Sequence, residues 1–184
     1  MKTCVFIIGT NGSGKSALAK ELITRFGGIR EVSKGFTGCN NGLVGFAGRY
    51  TLDSNYGGVD SLNSTKALEE IIKKAFETHE VIVCEGSYMD TFGMNLTNAM
   101  FIAQRHLVIF LYANNSVLHK RLKHRSGGGL TEKIISKQKR VARAAEKWKQ
   151  VGVPVLYIDS GICPLSREAD FLQNTIEDFS KIKL

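Results

Sequence analysis

The apolar positions along this 184-residue chain fall into two alternating periods. Thr3 to Ile8 (TCVFII), Glu80 to Cys84 (EVIVC), His106 to Ala113 (HLVIFLYA) and Val153 to Ile158 (VPVLYI) are short, nearly continuous apolar runs rich in β-branched residues, which predicts strands buried on both faces. Between them the period changes. Ser16 to Phe26 carries apolar residues at helical spacing and stops at Gly27-Gly28. Helices are predicted from about Ser61 to Thr78, over Met94 to Gln104, Ser116 to His124, Thr131 to about Gln150 and Glu168 to Ile182. In the fourth of these Thr131 is the cap, and Ile134, Val141, Ala145 and Trp148 form the apolar face. The glycine-rich stretch from Ile29 to Leu52 predicts short strands, with a hairpin turn at Cys39-Asn40-Asn41-Gly42.

Buried strands that alternate with helices predict an α/β fold of three layers, a mostly parallel sheet with helices on both faces. Ligands in such sheets bind beyond the carboxyl ends of the strands. Lys15, Glu85, Ala113 and Asp159 are expected near that edge. No repeat or linker divides the chain, so residues 1–184 are expected to form one domain.

The most specific chemistry lies between the first strand and the first helix. Gly9-Thr10-Asn11-Gly12-Ser13-Gly14-Lys15-Ser16 matches G-x-x-x-x-G-K-[ST], the phosphate-binding loop. Its glycines let successive N–H groups turn inward onto phosphate oxygens. The helix start adds partial positive charge. Lys15 is placed to reach the β- and γ-phosphates of ATP, and the Ser16 hydroxyl to ligate Mg²⁺.

Composition narrows the class. The chain is 43% hydrophobic and 23% charged, typical of a globular domain, and its longest apolar runs are too short to span a membrane. Nothing at its start reads as a signal peptide. The four cysteines are scattered, as expected of reduced thiols in the cytoplasm. The net charge of +8 is local. From His119 to Gln150, eleven cations less two acids (Glu132 and Glu146) give +9; the remaining fourteen cations and fifteen acids give −1. Lys120, Lys123, Lys133, Lys137, Lys139, Arg140, Arg143, Lys147 and Lys149 belong to this segment, which predicts a polyanion at one face.

Four further features bear on chemistry. Glu85 ends a buried strand beside the loop, where an acid binds Mg²⁺ or takes the acceptor's proton. Arg121 and Arg125 precede the Gly127 to Gly129 break; a lid over about 119–131 would set these arginines on phosphoryl charge and exclude water. His119 and His124 read as surface residues of that helix. Gly48-Arg49-Tyr50 and Tyr56-Gly57-Gly58-Val59-Asp60 combine a cation, two aromatics and an acid. Tyr50 or Tyr56 would stack on a base, Arg49 would hold a phosphate or base edge, and Asp60 would accept a proton or, with Ser61, cap a helix. Asp90 is a weaker candidate for acceptor contacts. Asp159-Ser160-Gly161 follows the last strand, where an adenine would be wrapped mainly by backbone.

The loop at 9–16, Glu85, the Arg121/Arg125 segment and Asp159-Ser160-Gly161 together resemble the nucleoside and nucleotide kinase branch of P-loop proteins. Within it, Gly48-Arg49-Tyr50 and Tyr56-Gly57-Gly58-Val59-Asp60 resemble the phage 5-hydroxymethyluracil DNA kinases. The resemblance implies transfer of the γ-phosphate of ATP to the hydroxymethyl group of a thymine-like base in DNA, in the host cytoplasm. The basic helix would then track DNA backbone through residues such as Lys137 and Arg140. Base flipping would deliver the acceptor to the aromatics near Asp60. A kinase for a free nucleoside or nucleoside monophosphate is the second reading, and a non-catalytic nucleotide switch the third. Oligomeric state is not legible.

Overall fold

The computed structural model describes residues 1–51, 58–62, 64–86 and 102–181. Among these, seven strands make one sheet: β1 (Thr3–Gly9), β2 (Ile29–Ser33), β3 (Phe36–Cys39), β4 (Val44–Ala47), β5 (Val81–Glu85), β6 (Arg105–Tyr112) and β7 (Val155–Asp159). Their order is β2-β3-β4-β5-β1-β6-β7. From β4 to β7 all neighbours are parallel. β2 and β3 join as an antiparallel meander, with the expected turn between β3 and β4. β2 forms one edge and is largely exposed; its Arg30 and Glu31 keep that edge polar.

The described helices are α1 (Lys15–Arg25), α2 (Thr65–Ala75), α3 (Asn115–Ser126), α4 (Glu132–Gln150) and α5 (Leu165–Lys181). Successive β1 side chains point to opposite faces. Cys4, Phe6 and Ile8 pack with Leu68 and Ile72 of α2 and with Val141, Ala145 and Trp148 of α4. Phe6 and Trp148 stack there, centroids 6.3 Å apart. Val5 and Ile7 pack with Leu18 and Leu22 of α1 and with Ala169, Leu172 and Ile176 of α5. The α/β architecture is therefore the one the apolar pattern predicts. No helix among the described residues is long and apolar enough to cross a membrane.

Local chemistry sets the boundaries. The Asn114 side chain caps α3 by accepting from the Val117 amide at 3.0 Å, and Gly127, at φ 68°, ends that helix. Thr131 caps α4 as expected, its hydroxyl accepting from the Ile134 amide. α2 corrects the expectation. It starts at Thr65, with Ser64 as the cap that accepts from the Ala67 amide, while Asp60 lies in a separate 3-10 turn, Val59–Ser61. Asp60 and Ser61 therefore do not cap α2. Most of the helix expected over Met94 to Gln104 lies outside the described residues.

The register aligns the carboxyl ends of the parallel strands. Ile7 pairs with Glu85, Gly9 with Leu111, and Tyr112 with Asp159. The phosphate-loop motif, Glu85 and the loop after β7 thus share one edge.

Candidate functional site

The loop from Gly9 to Ser16 joins β1 to α1. Gly12 (φ 82°) and Gly14 (φ 99°) hold backbone angles that side chains disfavour. Gly14 is the N-cap of α1, and no side chain caps that turn, so the helix start faces the loop with its partial positive charge. Lys15 is 9% exposed and folds back, its Nζ donating to the carbonyls of Gly9 (2.7 Å) and Thr10 (3.2 Å). These features fit a polyphosphate: a concave backbone, a helix start and a cation held at the rim.

Glu85 is 3% exposed at the end of β5. Its Oε1 accepts from the Ser16 hydroxyl at 3.0 Å, and its Oε2 from the Tyr50 hydroxyl at 3.1 Å. Burial raises its pKa above 4.5; Lys15 and the two hydroxyl donors oppose the rise, and Asp60 adds to it. Ser16 and Glu85 are hard oxygen donors side by side, a donor set suited to Mg²⁺. Among the described residues no three His, Cys, Asp or Glu side chains cluster as a metal cage. A cation held here would therefore complete its shell from nucleotide oxygens and water.

Asp60 is exposed and adjacent. A Cβ on Gly86 would come within 2.9 Å of Asp60 Oδ1. Gly58, at φ 82°, makes the approach possible: a side chain there would overlap the carbonyl and carboxylate of Glu85. The two acids that the sequence offers for proton and metal chemistry are thus brought together.

Tyr50 is a correction. Its ring is fully buried, edge-on to Phe46 with centroids 5.6 Å apart, and presents no face for a base. β4 ends at Ala47 and Gly48, at φ 111°, turns the chain, leaving Tyr50 buried against Phe46 and Arg49 exposed. Tyr56 and Asp90 lie outside the described residues.

Arg121 reaches across the site. Its guanidinium donates to the Ser160 hydroxyl (3.0 Å) and carbonyl (2.5 Å) and to the Gly12 carbonyl (3.3 Å). Ser160 is buried, and its hydroxyl donates to the Ser13 carbonyl at 2.7 Å and contacts the Tyr112 carbonyl at 3.1 Å. Arg121 and Ser160 thereby tie the phosphate loop to the turn after β7. In that turn the Asp159 carboxylate accepts from the Gly161 amide at 2.9 Å. Arg125 is exposed one turn beyond Arg121. His119, exposed as expected, accepts from the Leu130 amide at 3.3 Å and so closes the glycine break.

The cations of the basic helix differ in their surroundings. Lys137, expected on DNA backbone, donates to Asn11 Oδ1 at 3.0 Å, and the Thr10 hydroxyl contacts the Ile134 carbonyl at 3.4 Å. The amino-terminal half of α4 therefore lies over the phosphate loop. Arg140 is exposed, as are Lys120, Lys123, Arg125, Lys133, Lys139, Arg143, Lys147 and Lys149.

No protein-family model matches the sequence, and no curated protein matches it. Solved structures do. The YorR protein from Bacillus subtilis, in complex with phosphorylated GDP, superposes with a TM-score of 0.63 at 15% identity, covering 98% of this chain and 99% of that chain. A gluconokinase from Sinorhizobium meliloti 1021 gives 0.56 at 17% identity, with 97% of each chain covered. Deoxyadenosine kinase from M. mycoides, with dCMP and dCDP bound, gives 0.52 at 14% identity, covering 95% of this chain and 99% of that chain. These likenesses, which span nearly the whole chain, show that it has the fold of the P-loop kinases.

Proposed function

We propose that this chain is an ATP-dependent kinase that phosphorylates a hydroxyl group presented beside Asp60 and Glu85. The observation that carries the proposal is the 3.0 Å bond between Ser16 and Glu85, which joins the phosphate loop to a buried strand-end acid with Asp60 as its neighbour. In this reading the loop amides and Lys15 bind the triphosphate. Ser16 and Glu85 hold Mg²⁺, which when bound neutralises charge on the phosphoryl oxygens. Asp60, exposed and facing the acceptor side, takes the hydroxyl proton. Arg125 and Lys137 supply charge from the lid side, and the turn at Asp159 to Gly161 flanks the base of ATP. The likeness to a gluconokinase and a deoxyadenosine kinase supports phosphoryl transfer as the class of reaction.

For the acceptor we propose the hydroxymethyl group of 5-hydroxymethyluracil in DNA. Two observations support it: the resemblance at residues 48–60, and the nine exposed cations of α3 and α4 besides Arg121, far more than a free nucleotide needs. Arg49, exposed at the acceptor side, would contact the strand. A free nucleoside or monophosphate is the second reading, favoured by the deoxyadenosine kinase likeness. A panel separates them. ATP turnover is measured with 5-hydroxymethyluracil DNA and with free nucleosides and monophosphates, at low and high salt. The DNA reading predicts turnover on DNA that falls steeply with salt; salt-insensitive turnover on free acceptors alone would refute it.

A further inference from the structure

Tyr50 has a chemical role that the proposed reaction leaves unassigned. A buried hydroxyl must find a partner, and that of Tyr50 finds Glu85 Oε2 at 3.1 Å. The residue is held from both sides. Its ring leans on Phe46, and its amide donates to the Thr37 hydroxyl at 3.0 Å. That hydroxyl in turn donates to the Gly48 carbonyl at 3.1 Å. A Cβ on Gly58 would lie 3.1 Å from the Tyr50 hydroxyl and overlap the Glu85 carboxylate, so backbone walls the same oxygen. Glu85 therefore has one oxygen anchored toward β4 and the other beside Ser16.

We infer that Tyr50 is a positioning residue for the divalent-cation site: by anchoring Glu85 Oε2 it presents Oε1 beside Ser16, and through Thr37 it ties Gly48 to that site. The inference deepens the reading of Ser16 and Glu85 as the cation pair and rests on it. Hydrogen bonds to an ionised group are among the stronger ones, and losing this one frees a carboxylate to turn away from the cation.

The test is Mn²⁺ binding at saturating ADP, read from the free-ion electron paramagnetic resonance signal, which needs no acceptor and no turnover. Tyr50→Phe is expected to weaken Mn²⁺ binding about tenfold while metal-free ADP binding stays unchanged. In a Glu85→Gln background the same change is expected to add no further loss, which a purely packing role would not produce. Equal Mn²⁺ affinity in folded Tyr50→Phe and the parent protein would overturn the inference and leave the kinase reading standing. Absence of Mn²⁺·ADP binding by the parent protein would overturn both. If Tyr50→Phe fails to fold, 3-fluorotyrosine at position 50 keeps the shape and makes a stronger donor. An Mn²⁺ midpoint moved at least about twofold would support the inference, and an unmoved one would overturn it.

Discussion

Lys137 Nζ lies 3.0 Å from Asn11 Oδ1, a bond between residues 126 positions apart. It places the helix after the glycine break directly on the phosphate loop. The cations of α4 therefore have two settings: Lys137 beside the phosphate-loop motif, the others on the exposed face. Lys137→Ala is expected to lower kcat with ATP at least about tenfold, since it removes charge near the transferring group. Arg140→Gln and Lys147→Gln are expected to leave nucleotide binding intact and each reduce the salt slope of DNA binding by about one. Kinetics over a salt series check both. A Lys137→Ala effect confined to DNA binding would return that residue to the outer face.

Arg121 and Arg125 are expected to differ although both stand before the same break. Arg121 binds Ser160 and Gly12, and its charge also restrains Glu168, a buried acid whose pKa burial raises. Arg121→Ala should lower the Tm and weaken ADP binding together, because it leaves the tie between the loop and the β7 turn unmade. Arg125→Ala should leave Tm and ADP binding near the parent values and lower kcat, since in the proposed reading this exposed cation acts on phosphoryl charge. Thermal melts with and without ADP, beside steady-state rates, distinguish these outcomes.

Glu85 predicts a pH effect on stability. Burial is the largest influence on it and lifts its folded pKa above the usual 4.5. Between those two values the folded protein holds the proton more tightly than the unfolded chain does. Its contribution to stability is therefore full below 4.5 and is lost as pH rises through the folded value. Gln has no charge to bury. In metal-free buffer the Tm of Glu85→Gln minus that of the parent protein should grow as pH is raised from about 4 to about 8. A difference that shrinks with pH would mean that the Lys15 charge and the two hydroxyl donors outweigh burial.

Much of this was legible in the sequence. Strand and helix periods, the loop at residues 9–16, the Gly127 break and the Thr131 cap all rest on local pattern. What local pattern missed is tertiary. Lys137 meets Asn11, and Arg121 meets Ser160, only after the sheet brings β1, β6 and β7 side by side. Ser160 looked incidental because adenine loops use backbone; its hydroxyl instead bonds the phosphate loop. The burial of Tyr50 was not legible, because β4 ends at Ala47 and Gly48, at φ 111°, breaks the strand period between Phe46 and Tyr50. The start of α2 was misplaced because Asp60 and Ser61 are good caps in isolation, yet the chain spends them in a 3-10 turn against Gly86 and lets Ser64 cap the helix.

Two glycines should respond unequally to alanine. Gly127 is at φ 68° with no atoms within 4 Å of an added Cβ, so Gly127→Ala should cost only about 1 kcal/mol of stability. Gly58 is at φ 82° and its added methyl would overlap Glu85. Gly58→Ala should cost more than that and also displace Asp60 and Glu85, lowering activity beyond any loss of folded protein. Urea melts and rates normalised to folded fraction check this; equal losses would mean that Gly58 is a simple turn.

The most direct measurement of the central claim is mass analysis of DNA carrying 5-hydroxymethyluracil after incubation with the protein, ATP and Mg²⁺ and digestion to nucleosides. The account predicts that the modified nucleoside gains the mass of one phosphoryl group on its hydroxymethyl oxygen. Lys15→Ala should give none of this product, and Asp60→Asn should form it roughly 10² to 10⁴ times more slowly. Unmodified nucleoside with the parent protein, or product undiminished in Lys15→Ala, would contradict it.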